Sequence, residues 1–585
     1  MVFPSRRFLA LAACFGLSLS VALYGKALEP KQRLASASLK QAMMGALLFL
    51  DDQQVRQRQG SGDPRFDACS GDGCRPTLPG TGTSLPLPLP FVKNRAGEWA
   101  NFIHIFPSVL GAADKQQDSL IEIQDSNLFM TAGISYPLYL FDESELSGQQ
   151  PQTVTAMRIL SLASLEGYKH EDRYSFWPKL PGSTSKADRV GPLNIPMALG
   201  EGMTLMKKLH IKPQNPNPIA QEWMEDVSDR QINPYGLDAL ANIPGDADDT
   251  ALALSVGALG ERLDHRPFHQ DGSPFERMLS FRDQGRTLED ARDTWKGKNS
   301  GGFLTWLKDE NLPREERFRS PSSGVIPLGV NNVDCIVNAN VLLSFGLQGR
   351  TDEPAVLEAS ELMLRAVERR AWPTCGLYYP QRMMFPYVFT RAFRDGHVQN
   401  AATQKAAEQL LFDLLAEQDD TARRWPKQAG AFSGGTDPSF DLATALGVTA
   451  LLNIGPEIPA RLNVSERYQE AIQKGIDYLL AHAEDPRIRF DSTFNTNYDQ
   501  AHFPLPWDKS KSWQAGVFFS ASNWNLAQWR SQAYSTAIVL EALGKYMLAY
   551  DRVVENFVEG RRIHVLQYAR NAKKAAEDFS IRVND

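Results

Sequence analysis

The stretch Ile243-Pro244-Gly245-Asp246-Ala247-Asp248-Asp249-Thr250-Ala251-Leu252-Ala253-Leu254 sets the reading of the whole chain. Three carboxylates fall within four consecutive positions, behind a Pro-Gly breaker and ahead of an apolar run. Pro-Gly ends whatever precedes it, Asp246 suits an N-cap, and 250–259 is predicted as helix. Continued to Gly260, that helix has no clean polar face. A helix apolar nearly all round is buried on both sides. The carboxylates then stand at the mouth of a buried helix, an unusual place for three negative charges.

Further along, two kinds of helical segment alternate. Residues 355–370, 402–417 and 466–481 carry apolar side chains at spacings of three and four, with charges on the other face. Residues 248–260, 334–346, 440–455 and 535–543 are apolar nearly all round. Starts of the second kind fall near 246, 331, 386, 441 and 535, the middle three at 55-residue steps. A repeat of roughly 50 residues with inner and outer helices alternating is the pattern of a helical-hairpin array. Inner helices buried on both sides argue that the array closes on itself. The expected fold is all-α: an α/α toroid of six or seven hairpins with little or no sheet. Residues 125–141 and 192–209 supply further inner helices. Long connections occupy 263–325 and 483–528, and 514–524 reads as a loop closing one end. In such a ring the starts of the inner helices gather at one end, so chain-distant polar clusters converge there.

The ring is expected over 98–585, preceded over 28–97 by a helix (34–57) and a Pro/Gly-rich extended linker (58–95). Its core is ample: the chain has 585 residues, 43% of them hydrophobic and 22% charged. A net charge of −7 without a concentrated basic stretch gives no sign of nucleic-acid binding. Residues 1–27 read as a secretory signal peptide, with Arg6-Arg7 ahead of an apolar run over 8–23 and small residues after it. An uncleaved membrane anchor is the alternative, since that run is just short of a full span. Leu11-Ala12-Ala13-Cys14 sits too early for a lipoprotein box, and the Arg pair is a weak twin-arginine signal. Without Cys14 four cysteines remain, an even number that fits an oxidising compartment. Cys69 and Cys74 close a short Gly-containing loop and are expected to form a disulfide. Cys335 and Cys375 are either a second disulfide or two buried free thiols.

Asp246-Ala247-Asp248-Asp249-Thr250-Ala251 resembles the Asp-x-Asp-Asp-Thr-Ala signature of the class II terpenoid cyclases, the squalene-hopene and diterpene cyclase group. The match covers six residues, and those proteins are α/α toroids. The resemblance implies that Asp248, at the central position of the motif, protonates an alkene or epoxide and starts a carbocation cascade. Asp246 and Asp249 then help hold its proton, because adjacent carboxylates do not all ionise cheaply. Aromatic faces stabilise cations, and Trp177, Trp372, Tyr378, Tyr379, Tyr387, Trp513, Trp524 and Trp529 are available for such a lining. The related protein prenyltransferase β subunits bind zinc, but Asp334-Cys335 lacks the intervening residue of that site. No metal or cofactor is expected.

Plainer readings stand beside this one. Asp246 can cap the helix, with Asp249 completing a capping-box-like arrangement, and acids in a first turn suit the helix dipole. That dipole lowers carboxylate pKa values, so burial and mutual repulsion must outweigh it if Asp248 is to donate a proton. A metal- or ligand-binding role is the remaining possibility. Asp334 and Asn338, four apart in Asn331-Asn332-Val333-Asp334-Cys335-Ile336-Val337-Asn338-Ala339-Asn340, form either a polar stripe into the ring or interhelix hydrogen bonds. Tyr378, Tyr379 and Tyr387 are core packing or a platform for a sugar or an isoprenoid. The leader supports a rival function, a secreted toroid that processes or binds polysaccharide, with Asp248 and Asp334 or Asp441 as a carboxylate pair. A non-catalytic toroid is the third reading. The expected partner is a small hydrophobic substrate or a glycan, with membrane proximity possible through the leader.

Overall fold

Helices form along the chain where capping and periodicity signal them. The computed structural model describes residues 30–54, 96–99, 101–105, 121–125, 127–141, 153–178, 243–268, 272–287, 290–308, 326, 330–435, 439–484, 510–520 and 527–550. The expected leader over 1–27, the expected Cys69–Cys74 disulfide, the expected helix over 192–209 and Trp524 lie outside the described residues. In chain order the elements are α1 (Pro30–Gln53), β1 (Asn101–Ile105), β2 (Ile121–Asp125), α2 (Leu128–Leu138) and α3 (Thr153–Leu165). Next come β3 (Lys169–His170), β4 (Arg173–Tyr174), α4 (Ala247–Asp264), α5 (Ser273–Ser280), α6 (Cys335–Leu347) and α7 (Pro354–Glu368). Then follow α8 (Met384–Arg394), α9 (Ala401–Arg424), α10 (Phe440–Ile454), α11 (Glu457–Arg461) and α12 (Ser465–Ala481). The last are β5 (Gly516–Ser520), β6 (Ala527–Ser531) and α13 (Gln532–Tyr550).

Six of these helices close a ring. Going round it, α2 packs on α4, α4 on α6, α6 on α8, α8 on α10, α10 on α13, and α13 back on α2. Every residue of α6 is buried, and so is every residue of α4 from Ala247 to Gly260, as helices without a polar face require. The second layer is amphipathic. Helix α3 lies outside α2 and α4, α7 outside α6, α9 outside α10, and α12 outside α10 and α13. The molecule is thus an α/α toroid, with six inner helices among the described residues. Close approach is needed where α6 meets the end of α8: a Cβ on Gly346 would come within 2.1 Å of the Gly396 carbonyl oxygen. Fully burying one Leu in such a layer contributes about 1.5–3 kcal/mol.

One expectation is corrected and two gain detail. The helix near the N-terminus packs directly on the ring. Helix α1 packs on α13, α3 and α12, burying Met43, Leu47 and Leu50. It is pinned there by Trp99 Nε1 donating to the Leu50 carbonyl at 2.8 Å and by Gln54 Nε2 donating to those of Gly97 and Met157. The little sheet expected from the sequence has four antiparallel strands in the order β2-β1-β6-β5. The correction concerns the segment read as a closing loop, which begins as the edge strand β5 of that sheet. The sheet sits at the N-terminal ends of the inner helices. Strand β2 leads into α2 through the Asn127 cap, whose side chain accepts the Met130 N–H at 2.9 Å, and β6 runs directly into α13. Among the described residues no helix is long and apolar enough to cross a membrane.

Cys335 and Cys375 form a disulfide, with Cα atoms 5.6 Å apart across 40 residues of chain. It ties the start of α6 to the segment that carries Tyr378 and Tyr379.

Candidate active site

The site begins with the first turn of α4. Asp246 is its N-cap, and its side chain accepts the Asp249 N–H at 2.7 Å. The expected capping box does not form. The Asp246 N–H donates instead to the Tyr174 carbonyl at 3.1 Å, while the Ala247 N–H donates to Thr305 O at 2.8 Å. Asp249 Oδ1 has no hydrogen-bond partner among the described residues. The helix mouth is therefore plugged by backbone from two other segments, and Asp246, Asp248 and Asp249 are all buried, none more than 4% exposed.

Asp248 points across the ring. Its Oδ1 accepts from Asn340 Nδ2 on α6 at 2.7 Å, and its Oδ2 is hydrogen-bonded to the Tyr379 hydroxyl. Burial raises its pKa to about 6 against the pull of the Tyr379 and Asn340 hydrogen bonds and the more distant Arg391 charge. Burial likewise pushes Asp249 well above the ordinary carboxylate range, with Asp246 and then Asp248 adding repulsion. Asp246 is raised by burial and by the Asp248 charge, though hydrogen bonds from Asp249 restrain it. Desolvation thus overcomes the helix dipole, which favours ionised acids in a first turn. Near neutrality this turn holds carboxylic acids as well as carboxylates.

Beside Asp248 lies a bank of aromatic rings. Tyr379 sits 5.5 Å from Phe129 and 5.6 Å from Phe519, centroid to centroid. Phe519 in turn meets Phe176 at 4.9 Å and Trp529 at 5.1 Å. Phe129 also meets Phe518 and Tyr534. Of these rings only Tyr379 and Trp529 stand out in the sequence. Phe518 and Phe519 come from β5, and the signal that finds them is a short run of strand formers, Val517-Phe518-Phe519, not a helical period.

The other expected site residues divide. Trp177 joins the edge of the bank, 5.1 Å from Phe176, with its Nε1 donating to Asp125 at 3.2 Å. Tyr378 stacks on Phe519, and its hydroxyl accepts from Trp306 Nε1 and Asn332 Nδ2, both at 3.0 Å. Tyr387 belongs to a deeper polar group, where its hydroxyl donates to Glu541 Oε2 at 2.7 Å and accepts from Arg391 at 2.8 Å. Asp334 serves the backbone. Its oxygens accept the Ile336 and Val337 N–H groups as an N-cap and the Leu377 N–H at 2.5 Å, and burial raises it to about 7. Asn338 brackets Phe303, accepting from its N–H at 2.7 Å and donating to its carbonyl at 2.9 Å. It is a structural hydrogen-bonder, not part of a stripe into the ring. Asp441 faces the outer layer, accepting from the Gln514 N–H at 3.0 Å and from Tyr478. Of the two carboxylates proposed to pair with Asp248, Asp334 lies near enough to feel its charge but spends its oxygens on backbone N–H groups, and Asp441 is engaged with Gln514 and Tyr478. Trp372 and Trp513 also point elsewhere, donating to Asp413 and to the Leu479 carbonyl. Among the described residues no three His, Cys, Asp or Glu side chains are grouped to hold a metal ion.

No protein-family model matches the chain, and no curated protein matches it. Among solved structures it is similar to a variant of the type II terpene cyclase MstE from Scytonema in complex with geranylgeranyl dihydroxybenzoate. That likeness has 14% identity, covers 88% of this chain and 98% of that one, and has a TM-score of 0.40. A second MstE variant, without ligand, is similar at 14% identity and a TM-score of 0.42, over 88% of this chain and 99% of that one. The ring described above, not these likenesses, carries the fold.

Proposed function

We propose that this protein is a terpenoid-cyclase-like enzyme in which Asp248 protonates a hydrophobic, isoprenoid-type substrate. One observation supports this above the rest: a carboxyl group raised by burial to about 6 stands beside a bank of aromatic rings. An acid whose pKa lies near working pH is both protonated and able to give up its proton. The new bond runs from the acid proton to an alkene or epoxide carbon or oxygen, and Asp248 is left as a carboxylate. Asn340 and Tyr379 donate to that carboxylate. Ring faces such as those of Phe129 and Phe519 suit the cation that results. The isoprenoid class follows from the resemblance of the Asp-Ala-Asp-Asp-Thr-Ala motif.

The proposal includes export to the periplasm or the exterior, where the Cys335–Cys375 disulfide is at home. The test is incubation with a panel of polyprenyl alcohols, acids, arenes and epoxides in deuterated water. A cyclised product that carries one carbon-bound solvent deuteron from an alkene, or a hydroxyl from an opened epoxide, and is absent with Asp248→Asn of wild-type thermal stability, supports it. Product formation that survives in that variant removes Asp248 from the role.

A further inference from the structure

The hydrogen bonds do not stop at Asp248. Asn340 Oδ1 accepts from Arg391 Nη2 on α8 at 3.2 Å, and Arg391 Nη1 donates to the Tyr387 hydroxyl. Tyr387 continues to Glu541 on α13. Lys545 Nζ lies 3.1 Å from Glu541 Oε1 and donates to Asp395 Oδ2 and to Asn453 Oδ1 on α10, both at 2.7 Å. Tyr136 on α2 closes the group, donating to Asp395 at 3.1 Å with its ring 4.3 Å from the Arg391 guanidinium carbon. All six inner helices contribute to this one buried network. It sets two basic side chains, Arg391 and Lys545, against two acidic ones, Glu541 and Asp395.

The middle link has a fixed polarity. A guanidinium only donates, so Arg391 must face the carbonyl oxygen of the Asn340 amide. The Asn340 NH₂ group is thereby turned to Asp248 Oδ1, which can only accept. The proton of the neutral acid is left to Oδ2, on the side of Tyr379 and the aromatic rings. Were Asn340 free to flip, its carbonyl would face Asp248 and capture that proton. We infer that Arg391 is a positioning residue for the acid, fixing through Asn340 which oxygen of Asp248 carries the proton and stabilising the carboxylate left behind. This rests on reading Asp248 as the acid. Other charged or titratable groups face Asp248 as well: Asp246 and Asp249 on α4, Asp334 at the head of α6, Tyr379 before α8, and Tyr534 on α13. None of them touches the Asn340 amide, so the polarity of that link depends on Arg391.

The experiment is an infrared titration of the full chain. The protonated-carboxyl band of Asp248 is identified by its loss in Asp248→Asn, and folding is followed by circular dichroism. In Arg391→Gln and in Asn340→Leu the Asp248 titration is expected to move up by about one pH unit or more, a roughly tenfold weaker acid. Asn340→Leu leaves the guanidinium in place and decides the matter if Arg391→Gln does not fold. Unchanged titration in the folded variants overturns the inference and leaves the acid reading standing. Absence of any protonated Asp248 band above about pH 5, beyond the ordinary carboxylate range, overturns the acid reading itself.

Discussion

Asp248 is placed by three side chains that stand 92, 131 and 143 residues from it in sequence: Asn340, Tyr379 and, one bond further, Arg391. Replacing it by Asn keeps the shape and removes the proton. Turnover of an accepted substrate is expected to fall by about 10²–10⁴-fold, the usual worth of a general acid, with the melting temperature held or raised. A rate assay beside a thermal melt checks both parts. Tyr379→Phe keeps the ring and loses the hydroxyl. It is expected to raise the apparent pKa seen in the pH–rate profile, because that hydroxyl donates to the ionised form. The acid motif is legible in the sequence because it is local. Its partners are not. The sequence reading favours Asn338, whereas the structure turns Asn340 to the acid. Two positions on a helix are about 200° of rotation, and only the packing of α6 against α4 settles which face looks inward. Arg391 carries no local signal at all, since an arginine near the end of a helix usually reads as a solvated charge.

At the scale of elements, helices without a polar face announce themselves, and each of the six inner helices was expected near its observed place. The burial of the whole of α6 is the direct outcome. Leu446→Ala, in a fully buried position of α10, is expected to cost about 2–5 kcal/mol in chemical denaturation. Strand β5 is less legible. Four of its five residues are buried, so it lacks the alternation that marks a half-exposed strand, and its partner β6 abuts a helix start. The Cys335–Cys375 bridge is likewise undecidable from spacing, because two cysteines 40 apart meet only if the loop between them folds back. Cys375→Ser with Cys335→Ser is expected to lower stability by about 2–4 kcal/mol. Reduced-against-oxidised peptide mapping of the wild-type chain establishes the bond itself.

For the whole molecule, the buried acids set the pH at which the fold is strongest. Burial raises Asp248 to about 6 and Asp334 to about 7 from 3.8, and raises Asp246 and Asp249 too, both also through repulsion from neighbouring acids. Between the unfolded and folded values the folded chain holds more protons than the unfolded one. Their contribution is fully present below 3.8 and is lost as pH rises through about 6 to about 7. Asp283 works the other way, its carboxylate held down by Ser300 and Lys296 despite burial, but it is outnumbered. Denaturation midpoints are expected to be higher near pH 5 than near pH 8, and the difference should shrink in Asp249→Asn. A midpoint that climbs steadily toward pH 8 contradicts this.

The ring closes between its first and last inner helices, and the sheet repeats that closure where β1 pairs with β6. Trp529 Nε1 donates to Asp125 Oδ2 across 404 residues of chain. A nascent polypeptide therefore cannot complete its scaffold until nearly all of it is present, and contacts between such distant positions form slowly. Until then α2 and α13 each offer an oily flank with nothing against it, and such a half-built intermediate is prone to aggregate. If the chain is exported as proposed, passing through a membrane unfolded and assembling afterwards avoids that hazard on the near side and transfers it to the far side. There, helpers that hold extended chains would be in demand.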